Sequence, residues 1–228
     1  MIVGDRKPIK EIQDSIKPYK KLLILGCGTC VSVCMAGGEK EVALLASQLR
    51  MASKLENREV EIGEATIQRQ CDKEYVDAVL KKAKEYDAVL SMACGAGVQF
   101  VADMLEPMPL IPALNTRFIG VTLAEGTWAE RCRACGNCML GDFGGICPMT
   151  MCAKASVNGP CGGSKNGKCE TSNERDCAWV LIYNRLKKMN KLDNMRQGIR
   201  LKTYGAQTHP ARQVNEAYLK PVKEAATK

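Results

Sequence analysis

KKLLILGCGTCVSVC, spanning Lys20 to Cys34, joins two kinds of sequence. Leu22, Leu23, Ile24 and Leu25 form an unbroken apolar run that reads as a buried strand. The run stops at Gly26, and thiols follow at Cys27, Cys30 and Cys34. Outward from there the chain keeps alternating. Residues 8–17 carry Ile9, Ile12 and Ile16 on one helical stripe that Pro18 closes. A helix is expected from about Glu39 to Lys54, with Ala43, Leu44, Ala46, Leu49 and Ala52 on its apolar side. A second strand is expected from Val60 to Ile67, ending near Cys71. The helix Lys73–Lys84 follows, with Val76, Val79 and Leu80 facing inward. A third strand, Ala88–Met92, runs into Cys94, and the next helix extends to about Leu105, where Pro107 and Pro109 break it. A fourth strand, Leu110 to Leu114, leads to Asn115.

This alternation predicts an α/β fold: a small parallel sheet flanked by helices, then a cysteine-rich metal-binding module and an irregular C-terminal tail. The expected divisions are 1–125 for the α/β domain, 126–192 for the module with its docking helix, and 193–228 for the tail. In a parallel sheet the loops after the strands share one edge, where ligands bind. Cys27, Cys30, Cys34, Cys71 and Cys94 all fall after predicted strands, so they are expected to converge on a metal site, most simply a [4Fe–4S] cluster. Three other readings compete. Gly26-x-Gly28 mimics a phosphate-binding turn but lacks the third glycine. Cys27-Gly-Thr-Cys30 mimics a thiol–disulfide pair, although three further thiols weigh against it. A cubane needs four ligands, so one of the five cysteines is free to be a buried structural thiol.

Eight of the thirteen cysteines lie between Cys132 and Cys177, in a Gly- and Asn-rich block from Glu130 to Trp179. Few large apolar residues occur there, so metal or disulfides, and not a hydrophobic core, are expected to hold it. Met1 to Ile16 shows no signal-peptide pattern, which together with an odd cysteine count favours reduced, metal-binding thiols and a cytoplasmic location. Cys132-x2-Cys135-x2-Cys138, followed by Cys147-Pro148, is a ferredoxin-like run, with eight residues between Cys138 and Cys147 where ferredoxins have three. A second [4Fe–4S] cluster is expected on this run. The long gap means either one stretched loop ending at Cys147 or that Cys147 or Cys152 serves a different site. A zinc ribbon, which pairs two CxxC knuckles, fits three closely spaced cysteines less well. Cys152, Cys161, Cys169 and Cys177 suit a structural zinc site or a further cluster, zinc being the simpler reading. The helix from Ala178 to about Lys191, with Trp179, Leu181, Ile182, Leu186 and Met189, is expected to pack within the chain.

The net charge of +8 misleads. Four thiolates around a metal group leave roughly −2, so three filled sites bring the total to about +2. The Lys and Arg residues are dispersed without an aromatic platform, so no nucleic-acid partner is expected. No apolar run reaches the length of a membrane span. The tail from Arg196 reads as disordered or as an arm along a partner, with Tyr204, His209 and Tyr218 isolated in it and His209 exposed. One histidine leaves little scope for acid–base catalysis, and the thiolates point to electron transfer in support of a catalytic partner.

Several stretches resemble a known family. GCGTCVSVCMAGGEKE (26–41), RQCD (69–72) and ACGAGVQ (93–99) are similar to the small, MetV-type subunit of acetogen-type methylenetetrahydrofolate reductase. NGPCGGS (158–164), GKCE (167–170) and CAWVLIY (177–183) resemble its C-terminal cysteine-rich domain. The resemblance covers roughly residues 2–192. It implies an iron–sulfur subunit that is not itself catalytic, relaying electrons to the flavin of a catalytic subunit in the one-carbon branch of acetyl-CoA synthesis, with a further electron-donor module as a second partner. Folate and flavin residues would then belong to the partner. A zinc-binding scaffold and a thiol–disulfide redox protein are the alternative readings.

Overall fold

The computed structural model describes residues 1–207, 209–215 and 217. The chain divides between Arg133 and Ala134 into two compact units. The first runs β1 (Ile2–Arg6), α1 (Ile9–Ile16), β2 (Lys21–Cys27), α2 (Cys30–Val33), α3 (Glu39–Leu55) and β3 (Glu61–Ile67). It continues α4 (Lys73–Asp77), α5 (Leu80–Ala83), β4 (Ala88–Met92), α6 (Gly95–Leu105), β5 (Leu110–Pro112), β6 (Leu114–Ala124) and β7 (Thr127–Cys132).

A parallel sheet of order β3-β2-β4-β5 lies at its centre, as expected. The apolar run in β2 is buried on both faces because successive side chains point oppositely. Leu22 and Ile24 face a core closed by α1 and α3, while Leu23 and Leu25 face one closed by α4, α5 and α6. The phase of α3 differs from expectation. Val42, Leu45, Ala46 and Leu49 are buried, while Ala43 and Leu44 are exposed. The helix turns its β-branched and leucine stripe to the sheet and leaves Leu44 outside. The predicted helix 73–84 is two short helices, with Val76 buried in the first and Val79 buried at the N-cap of the second.

A second, antiparallel sheet, β1-β6-β7, was not expected. Its strands show no clean alternation: in β6 only Leu114 and Gly120 are buried. Trp128 of β7 packs on the core of α1 and α3.

The second unit contains α7 (Pro148–Met151), the hairpin β8 (Lys168–Cys169) and β9 (Ser172–Asp176), and α8 (Ala178–Lys188), followed by single 3₁₀ turns. It also holds a small core. Phe143 and Trp179 meet edge to face at 5.4 Å, with Ile182 and Leu186 beneath. The helix α8 packs within the chain as foreseen. The eight residues between Cys138 and Cys147 therefore have a use, since they carry Phe143 into the core through a tight turn in which Gly145 N donates to Leu140 O at 2.9 Å.

The start of the tail is tied to the rest of the second unit. Arg200 N donates to Asn158 Oδ1 at 2.7 Å, and the Arg200 guanidinium lies 4.8 Å from the Phe143 ring centroid. His209 is exposed, and Tyr218 lies outside the described residues. No helix among the described residues is long and apolar enough to cross a membrane.

Candidate metal centre

Three adjacent parallel strands deliver the thiols of the first unit to one edge. Cys27 ends β2, the central strand; Cys30 opens α2 just beyond it; Cys71 follows β3; and Cys94 caps the N-terminus of α6 after β4. Cys27 is 7% exposed, Cys30 and Cys94 are half-buried, and Cys71 is exposed, so the group runs from the core to the surface. Burial pushes the Cys71 thiol above its ordinary pKa, and the neighbouring Cys94, Cys27 and Cys30 push it further. Cys94, Cys27 and Cys30 thus lie near enough to Cys71 for charge on one to disfavour charge on it, and Cys30 acts likewise on Cys34.

Cys34 stands apart. The residue is 5% exposed, and its sulfur accepts from Gly4 N at 3.5 Å and lies 3.4 Å from Gly4 O and 3.5 Å from Val31 O. Burial raises its pKa, which keeps it a neutral thiol bonded to β1 and α2.

The loops beneath the group are fixed by backbone and by one buried amide. Cys27 N donates to Gly37 O at 2.8 Å and Gly28 N to Ile67 O at 2.9 Å. Any side chain at residue 37 would place a Cβ 2.0 Å from Met92 O, so glycine alone lets this loop pass under the end of β4. Gln70, fully buried, donates from Nε2 to Leu25 O at 2.8 Å and accepts from Ser91 Oγ at 2.6 Å. It thereby ties the segment carrying Cys71 to both β2 and β4. Only Ser91 breaks the apolar run of β4, the single sequence hint that a buried polar partner was needed.

Cys132 ends β7 in the first unit, opposite Ile119. Cys135, Cys138 and Cys147 belong to the second unit, Cys138 exposed and Cys147 capping α7. Hydrogen bonding from Lys202 holds the Cys135 thiol below its ordinary pKa. The last four cysteines gather around the hairpin. Cys152 and Cys177 both pack against the Phe143–Trp179 core. The Lys154 ammonium feels Cys161 and Cys152 as well as Glu170, its principal partner. The Thr171 hydroxyl lowers the pKa of Cys169, and Cys177 N donates to Gly167 O at 2.8 Å at the hairpin's start.

Among the described residues, no three His, Cys, Asp or Glu side chains stand close enough to hold a single metal ion. What the fold supplies is a set of soft sulfur side chains brought to one sheet edge from separate elements.

Fold and side chains together define a two-unit α/β protein whose distinctive chemistry is that of grouped thiols. Residues 111–205 match the family model described as methylene-tetrahydrofolate reductase C terminal. This relates the stretch that carries the last eight cysteines to methylenetetrahydrofolate reductase. No curated protein and no solved structure matches the chain.

Proposed function

We propose that this chain is the iron–sulfur subunit of a methylenetetrahydrofolate reductase and relays electrons to the flavin of a separate catalytic subunit. One observation carries the reading: Cys27, Cys30, Cys71 and Cys94 are delivered to one sheet edge by three adjacent parallel strands. A [4Fe–4S] cluster held there would supply one-electron transfer. Cys27 would hold its inner corner and Cys71 the outer one, which leaves a short path to a partner's surface. Cys94, at the N-cap of the eleven-residue helix α6, sets backbone N–H groups beside the negative charge. Cys34 takes no part as a ligand.

Cys132, Cys135, Cys138 and Cys147 hold a second cluster in this reading, and Cys152, Cys161, Cys169 and Cys177 a zinc ion that fixes the hairpin against α8. The family match of residues 111–205 supports association with the reductase. The electron-donor module and the cytoplasmic setting belong to the same proposal.

Metal analysis and an absorption spectrum on protein purified without oxygen test it. The expected result is about eight irons per chain, a visible band bleached by dithionite, and about one zinc. Zinc without iron would sink the electron relay and leave a scaffold subunit.

A further inference from the structure

Lys202 is 9% exposed, although it lies in a stretch with little apolar content. Burying an ammonium is costly unless acceptors or negative charge meet it. Its chain segment is placed two residues earlier. Arg200 N donates to Asn158 Oδ1, Asn158 Nδ2 donates back to Arg200 O at 3.1 Å, and the Arg200 guanidinium lies 3.6 Å from the Asp142 carboxylate. So held, Lys202 Nζ donates to Asn137 O at 2.7 Å, inside the turn between Cys135 and Cys138. The Cys135 sulfur faces the same carbonyl at 3.8 Å. Lys202 carries three N–H donors. One is used on Asn137, whose carbonyl also faces the Cys135 sulfur, so the ammonium and the thiol share one acceptor, and Lys202 lowers the pKa of that thiol.

We propose that Lys202 is a positioning residue for the Cys135 metal site, its fixed positive charge offsetting the metal-bound thiolate and making the group held there easier to reduce. The inference rests on the reading that Cys135 ligates a cluster. On binding metal the sulfur would give up its proton to solvent and stop donating to Asn137 O, leaving a thiolate beside the fixed ammonium. Reduction then adds one electron and forms or breaks no bond. A cation buried beside the site stabilises the added negative charge far more than one in water would.

The test compares K202M and K202R in the full chain, purified anaerobically, by potentiometric titration monitored by EPR. The transition belonging to this site is the one missing from C135S. K202M is expected to keep its iron and to be about tenfold harder to reduce, a shift of about 59 mV to more negative potential for one electron. K202R is expected to hold the wild-type value. An unchanged potential in iron-replete K202M overturns the role of Lys202 and leaves the cluster reading intact. Should K202M lose its iron, K202R decides: native iron and potential uphold the role of charge, whereas equal loss reduces Lys202 to packing and overturns it. Full iron and an unchanged spectrum in C135S would remove the cluster reading itself, and the inference with it.

Discussion

At the scale of single residues, the five cysteines near the sheet edge divide by what their sulfurs touch. Cys34 is bonded to backbone on two elements, while Cys71 is set among three other thiols. Cys34→Ala is therefore expected to retain wild-type iron, and serine at residue 27, 30, 71 or 94 to lose about half of it; iron assay on the five variants checks this. The pH dependence follows from the same burial. The folded-state pKa of Cys34 is raised above its ordinary 9.0. The stability it contributes is therefore complete below about pH 9 and lost as pH rises through the folded value. Urea melts on either side of pH 9 should show a shallower alkaline decline in Cys34→Ala. Gln70→Leu strands Ser91 Oγ and Leu25 O, and is expected to cost about 1–3 kcal/mol, read from the shift in the urea midpoint. The thiol positions were legible because strand ends in a parallel sheet share an edge whatever their separation in sequence. Gln70 and Lys202 were not, because their partners lie 45 and 65 residues away and no local pattern announces such a bond.

At the scale of elements, what could be read depended on periodicity. β2 and β4 are apolar throughout and stood out, and the first helix fell where its three isoleucines placed it. The β6–β7 hairpin and β1 were invisible. Their pairings join Ile2 to Ile119 and Asp5 to Asn115, and most of their side chains are exposed, so burial wrote no alternation into the sequence. The small core of the second unit escaped for a different reason. It takes Phe143 from a glycine-rich turn and the rest from α8, thirty-five and more residues later. Phe143→Ala removes the ring that Trp179 and Arg200 both contact. A loss of about 3–5 kcal/mol is expected for a fully buried aromatic. Because Arg200 loses its seat, amide exchange in residues 199–202 should accelerate as well. Protection there equal to wild type would show that the Asn158 pairing alone holds the segment.

At the scale of the whole chain, the two units rest on different physics. The first buries an extensive apolar core on each face of its parallel sheet, enough to fold by burial alone. The second has Phe143, Trp179, Ile182 and Leu186 as its fully enclosed side chains, against long glycine-rich loops. Gly136, Gly144, Gly145, Gly159, Gly162 and Gly167 all adopt positive φ there, and each costs more conformational entropy to order than other residues do. So small a core offsets only part of that cost, and on the proposed reading metal–thiolate bonds, whose binding energy becomes folding energy, would supply the rest. Removing metal anaerobically with a strong chelator should therefore act unevenly. Hydrogen exchange is expected to show protection lost across 134–202 and kept in β2 and β4, with cooperative unfolding of the first unit at nearly its original denaturant midpoint. Readdition of iron and sulfide with zinc should restore the second unit's protection. Equal persistence of both units after complete metal removal would mean that the hydrogen bonds around Arg200 and Asn158, together with the four-residue core, suffice. The cysteines of the second unit would then serve chemistry alone. Collapse of both units would place a structural demand on the thiols at the sheet edge that the first unit's core does not call for.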